Sequence, residues 1–278
     1  MPEEKMQETN WNSQSRLDAG KRYQRQSAEM GAAATAMLVE AARIKLGQRV
    51  LDVACGAGEP AISQAMMLKD SGSVVGIDFA DGPLEVARAR AAKRGLTNIE
   101  FTKADVHCLP FPDASFDRIT SRLGVMFFRE LPRALGELHR VLRPGGRLAL
   151  LAWGSMQQSY WQMTVGTILR LRPELTIPDS ARVLFKFGEP GSLARALTAA
   201  GFEEVAGPVV PCCWSWHGTP EQLWDYFHNV TAPFRGILDA VAGDIEVEQA
   251  ILDNFRSTYD GEYVRITVDM VLATAQKP

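Results

Sequence analysis

The chain has 278 residues, 46% of them hydrophobic and 23% charged, with a formal net charge of −3. That length and apolar content suit one large α/β domain with insertions and exclude a disordered chain. The slightly acidic balance supplies no pull toward nucleic acid or an anionic membrane.

The four cysteines, Cys55, Cys108, Cys212 and Cys213, show no zinc-ligand spacing. Neither a metal site nor a disulfide framework is expected, and a reducing cytoplasm is the plain reading. Residues 1–10 are polar, carry Glu3, Glu4 and Glu8, and lack the apolar stretch of a secretory signal. No apolar run reaches roughly 18 residues, so membrane insertion is not expected.

In chain order, residues 1–26 read as polar and irregular, and a helix follows over 27–45, stopped by Gly47. Short apolar strands are then expected over 50–54, 73–77, 99–102, 116–121 and 147–153. They alternate with helices over 60–69, 83–94 and 131–142. Such alternation means a doubly wound, mostly parallel sheet with helices on both faces. Unbroken apolar runs suit strands buried on both sides. The rhythm pauses over 155–187, which is aromatic, rich in methionine and partly helical. A helix ending at residue 200, a strand over 205–213, helices within 219–256 and a last strand over 264–275 complete the chain. Segments 155–187 and 219–260 read as lid insertions over one end of the sheet. With them goes a helical cap, residues 1–46, on a domain spanning 47–278.

The first strand runs into Asp52-Val53-Ala54-Cys55-Gly56-Ala57-Gly58-Glu59-Pro60-Ala61. Glycines let backbone approach a ligand, and the next helix offers free N–H groups at its start. The run satisfies the loose dinucleotide-binding pattern, which a plain tight turn would satisfy too. Asp52, four residues before Gly56, favours a cationic ligand over a diphosphate. Asp78, at the end of the second strand and 20 residues after Gly58, suits a pair of ribose hydroxyls; NAD-binding folds share that feature. Asp105, just past the third strand, can accept from an adenine amino group, with the Val106 N–H beside it.

VLDVACGAGEPA (50–61), VVGIDFA (74–80), FTKADVHCLPFPDASFD (101–117) and ELHRVLRPGGRLALLAW (137–153) together resemble the class I S-adenosylmethionine-dependent methyltransferases. The likeness is to the group that includes the ubiquinone and menaquinone C-methyltransferases. It implies a seven-stranded sheet with an antiparallel last strand and S-adenosylmethionine as methyl donor. Ala54 departs from the glycine common at that place. By position, the resemblance sets Asp52, Ala54, Gly56 and Gly58 around the methionine part of the cofactor. Asp78 falls at the ribose, Asp105 and Val106 fall at the adenine, and Phe79 is a further cofactor-binding residue. Ser121 or Arg122 would lie near the methionine amino group, and Tyr23 would reach its carboxylate.

Aromatic residues and methionines crowd the expected lid. Met126, Phe127, Tyr160, Trp161, Trp214 and Tyr226 are taken as the wall for a small apolar or aromatic acceptor. Methyl transfer from a sulfonium mainly needs alignment, and a base only where the acceptor must lose a proton. His228 is the candidate base. His139 is expected in solvent, His107 at the pocket edge, and His217 in either a structural or a pocket role. A non-catalytic adenosylmethionine-binding protein and an NAD-dependent oxidoreductase are the competing readings. No nucleic-acid partner is expected, and a homodimer is one assembly left open.

Overall fold

The computed structural model describes residues 13–278; the expectations for residues 1–12 lie outside them. Chain order is α1 (Gln14–Arg22), α2 (Gln24–Met30), α3 (Ala32–Ala42), β1 (Arg49–Val53), α4 (Ala61–Leu68), β2 (Ser73–Asp78), α5 (Asp81–Lys93) and β3 (Ile99–Lys103). Next come β4 (Phe116–Arg122), α6 (Leu131–Val141), β5 (Leu142–Trp153), α7 (Ser159–Trp161) and α8 (Thr167–Leu171), the last two joined by a π-helical turn, Gln162–Gly166. The chain continues with α9 (Asp179–Arg182), α10 (Ser192–Ala199), β6 (Glu203–Ala206), β7 (Val209–His217), α11 (Pro220–Val230), α12 (Arg235–Ala240), α13 (Ile245–Arg256) and β8 (Tyr263–Gln276).

Strands β3-β2-β1-β4-β5 are parallel neighbours in that order, and β8 runs antiparallel beside β5. On its far side β8 pairs first with β7 and then with β6. The single sixth strand expected from sequence is thus an edge interrupted at Gly207-Pro208, where proline has no N–H to give to the ladder. Along β8, Val264, Ile266, Val268 and Met270 are buried and alternate with exposed residues; the alternation is lost beyond Met270, where residues 271–275 are mostly buried.

Local chemistry explains the flanking helices. In α6 the apolar positions Ala134, Leu135, Leu138 and Val141 fall on one face, and all four are buried. Thr219 caps α11 in a reciprocal box with Gln222, and Pro220 occupies its first turn. Asp244 caps α13 through the Val247 N–H and also receives a forked pair of bonds from Arg172, tying α8 to α13.

Three further boundaries differ from the sequence reading by more than two residues. Residues 14–22 form a helix rather than an irregular lead, because α1 packs on α11 and gains there the burial its own polar sequence does not promise. The helix expected over 27–45 is divided at Gly31, where Arg122 abuts the backbone. The fifth strand begins at Leu142, with Pro144-Gly145-Gly146 carried as an irregularity between Phe116 and Arg118 of its partner. α3 lies against β4 and β5, and α2 lies against β7.

Candidate functional site

Because β2 and β3 lie on one side of β1 while β4 and β5 lie on the other, a crevice opens where the strand order reverses, at the carboxyl ends. A cavity of about 740 Å³ occupies it. Its floor is Ala54, Gly56, Asp78, Phe79, Asp105, Val106 and Arg122, and its far wall holds Met126, Phe127, Trp153, Tyr160, Trp161, Trp214 and Tyr226.

The Gly56 N–H donates to Asp78 Oδ2 (2.9 Å) and the Ala80 N–H to Oδ1 (3.0 Å), so the carboxylate is fixed at the cavity edge. Burial raises the Asp78 pKa against these same N–H groups. Gly56 has φ +52, and a Cβ there would meet no atom within 4 Å. The room over the turn is therefore room for a ligand. Asp105 Oδ1 accepts from the His107 N–H (2.9 Å) and lies 2.6 Å from His107 Nδ1. Burial opposes the Asp105 charge, but the His107 contacts outweigh it and lower the pKa. The Glu130 N–H donates to His107 Nε2, so both ring nitrogens are engaged. His107 is a clamp at the pocket edge.

Several expected site residues lie elsewhere. Asp52 is fully buried and outside the cavity lining, accepting from the Thr120 hydroxyl (2.8 Å) and the Ala61 N–H (3.2 Å). It anchors the turn to α4 and β4. Gly58 also lies beneath the lining, where a Cβ would strike Ile62 and Ala87. Ser121 is buried with its hydroxyl unpartnered among the described residues, while Arg122 faces the cavity. Tyr23 turns away from the cavity and donates to Asp225 Oδ2 (2.8 Å), which also binds Arg22. His228 is likewise outside, its Nε2 3.3 Å from the Leu238 carbonyl, so the cavity receives no base from it. His139 is packed on Phe202 and half-buried rather than solvated. His217 stacks on Tyr263 and pairs with Glu29 and Glu262, a structural role. Glu59 pairs with Arg90 (2.9 Å) and accepts from Ser63 Oγ (2.7 Å), so its charge is spent within the turn.

The acceptor candidates do converge. Tyr160 stacks parallel to Trp153 (5.8 Å, 2°) and meets Trp161, Trp214 and Phe227 edge-on. The π-helical turn follows directly, and the Thr164 hydroxyl donates to the Tyr160 carbonyl within it. Burial raises the Tyr160 pKa, so the phenol keeps its proton and is a donor.

Sequence reasoning gave residues 1–46 as a helical cap but named only Tyr23 of them for the site. Arg16, Leu17, Gly20, Gln24, Ser27, Ala28 and Gly31 all line the cavity, at spacings that repeat by three and four. That periodicity was legible, but the polar composition of the segment hid it.

A parallel sheet, a glycine turn after its first strand, acids at the next two strand ends and a cavity across the switch point define a Rossmann-like nucleoside-binding fold. A family profile described as a methyltransferase domain matches residues 50–146. A demethylmenaquinone methyltransferase of Thermus thermophilus is 37% identical over 180 residues, covering 59% of this chain and 78% of the relative. An uncharacterized protein of Mycobacterium tuberculosis is 33% identical over 252 residues, 87% of this chain and 85% of its own length. A solved structure of a putative methyltransferase from Bacillus halodurans superposes with a TM-score of 0.56 at 24% identity, covering 88% of this chain and 98% of that one. The chain belongs to the class I S-adenosylmethionine-dependent methyltransferases. Its methyl donor is S-adenosylmethionine.

Proposed function

We propose that the protein methylates a small apolar or aromatic acceptor held against the wall of Met126, Phe127, Tyr160, Trp161, Trp214 and Tyr226. What supports this is one continuous cavity joining Asp78 and Asp105 to that wall. The buried Asp78 carboxylate at its edge and the open space over Gly56 fit a nucleoside cofactor.

Bound S-adenosylmethionine supplies a methyl group on a sulfonium whose leaving group is neutral. Asp78, oriented by the Gly56 and Ala80 N–H groups, would accept the ribose hydroxyls. Asp105, whose Oδ2 is left open by His107, would accept from the adenine amino group beside Val106. Ala54 and Gly56 would present the sulfur end. The aromatic wall aligns the acceptor in line with the methyl group and excludes water, the kind of positioning that supplies on the order of 7–11 kcal/mol. The Tyr160 hydroxyl donates to a polar atom of the acceptor. Helices α1 and α2 and segments 155–187 and 219–260 serve as the lid, latched where Arg22 and Tyr23 meet Asp225.

Among the described residues no helix is long and apolar enough to cross a membrane.

The test is calorimetry with S-adenosylhomocysteine and NAD, followed by turnover assays on panels of aromatic and isoprenoid acceptors. Binding of S-adenosylhomocysteine and not of NAD, and methylation of apolar acceptors, are expected. Methylation confined to strongly charged acceptors would refute the assignment of the wall.

A further inference from the structure

Arg122 is a cation in the cavity whose charge no carboxylate neutralises by contact. Its Nη1 donates to Thr35 Oγ1 (2.9 Å) and the Gly31 carbonyl (3.3 Å), both neutral. It forms no ion pair among the described residues. The two acids that act on it, Glu59 and Asp52, do so only through space, and both are committed: Glu59 to Arg90 and Ser63, Asp52 to Thr120 and Ala61. A buried guanidinium without an anion is costly, so a ligand anion is the expected partner. Gly31 makes the space, since a Cβ there would stand 2.6 Å from Nη1.

The strand order says which anion. Asp105 follows β3, Asp78 ends β2, the glycine turn follows β1 and Arg122 ends β4, and these strands are neighbours in that order. Three strand spacings span about 14 Å. Adenine, ribose, sulfur and amino-acid end follow one another in the same sequence along the cofactor. The other cations are taken up elsewhere along this line. Arg16 is coupled to Asp78, Arg90 binds Glu59, Lys103 binds Asp81, and Arg129 acts on Asp105. The amino-acid end carries an ammonium and a carboxylate, and a guanidinium repels the first and attracts the second. Tyr23, which the resemblance offered for the carboxylate, is engaged with Asp225 outside the cavity.

We infer that Arg122 reads the α-carboxylate of the cofactor, an assignment that rests on the cofactor pose proposed above. It is a binding residue, and it takes no part in the transfer itself. Its place at the end of β4, braced by Gly31 and Thr35, gives the carboxylate a fixed seat beneath the N-terminal helices.

Calorimetry should compare S-adenosylhomocysteine, its decarboxylated analogue and 5′-methylthioadenosine on the wild type, Arg122→Met and Arg122→Lys. The wild type is expected to prefer S-adenosylhomocysteine over the decarboxylated analogue at least tenfold. In Arg122→Met that ratio should fall to near one, through loss of S-adenosylhomocysteine affinity alone, with methylthioadenosine affinity unchanged within twofold. Arg122→Lys should keep an intermediate ratio, because it retains charge but not the fork. An unchanged ratio in Arg122→Met, or equal weakening of both ligands with methylthioadenosine binding intact, would overturn the inference. Should Arg122→Met lose methylthioadenosine as well, the site has collapsed and Arg122→Lys decides: a ratio reduced at least threefold supports the assignment, and an unchanged ratio overturns it. Failure of the wild type to bind any of the three nucleosides would instead strike the cofactor pose itself.

Discussion

Ala54 and Gly124 share one small space. A Cβ on Gly124 would collide with the Ala54 Cβ and stand 2.7 Å from Ser121 Oγ. Ala54 itself sits at φ +56, a left-handed conformation that costs a residue with a Cβ roughly 1–2 kcal/mol. The methyl group that departs from the common glycine is thus accommodated by a glycine on the loop after β4.

Gly124→Ala is therefore expected to destabilise the protein by about 2 kcal/mol or more, and less in an Ala54→Gly background. Urea denaturation of the two single variants and the double variant measures the coupling. A coupling below about 0.5 kcal/mol would mean that the contact with Ser121, rather than Ala54, sets the cost.

Asp78→Asn should weaken S-adenosylhomocysteine binding at least tenfold. One charge-assisted bond is worth roughly 1.5–3 kcal/mol, and the amide would also face the Gly56 or Ala80 N–H with a donor. Calorimetry beside a thermal melt checks it; unchanged affinity would remove Asp78 from the site.

Asp52 gives the protein a distinct pH signature. Burial pushes its carboxyl up to about 7, against the Thr120 and Ala61 hydrogen bonds, whereas the unfolded value is about 3.9. Between these values the folded state holds the proton more tightly than the unfolded state does. This group's contribution to stability therefore falls as pH rises from about 4 to about 7 and levels off above that, a change of order 4 kcal/mol at most. Asp52→Asn cannot ionise, so its stability relative to the wild type should rise across the same window. Denaturant unfolding at pH 5, 6, 7 and 8 measures the difference; parallel curves would show that Asp52 stays ionised throughout.

Tyr160→Phe keeps the stacked ring and removes only the hydroxyl. Acceptor KM should rise several-fold while S-adenosylhomocysteine affinity and Tm hold. Trp161→Ala should behave otherwise. Trp161 is 2% exposed and packed among Trp153, Tyr160, Phe185, Phe227 and Phe234, so its loss should cost about 3–5 kcal/mol and all ligand binding together. Steady-state kinetics with a melt on each variant separates the two roles, and a Tyr160→Phe enzyme with unaltered acceptor kinetics would take the hydroxyl out of acceptor binding.

The sequence alone determined the five parallel strands and the cofactor class. Strand runs such as 50–54 and 73–77 announce a buried parallel sheet, and Gly56, Asp78 and Asp105 are set by local spacing to the ends of successive strands. Such features depend on neighbours along the chain, where periodicity and turn chemistry act. The tertiary structure decided where a side chain finds its partner. Asp52 reads as a ligand acid but is consumed by Thr120, 68 residues away in the chain. Tyr23 is claimed by Asp225 across 202 residues, and His228 by the carbonyl of Leu238. Arg122, one residue from the equally eligible Ser121, faces the cavity because successive side chains of a strand point to opposite faces, and because Gly31, at the break between α2 and α3, leaves it room. A carboxylate, phenol or imidazole takes whichever partner the fold brings near, and no spacing along the chain encodes that choice.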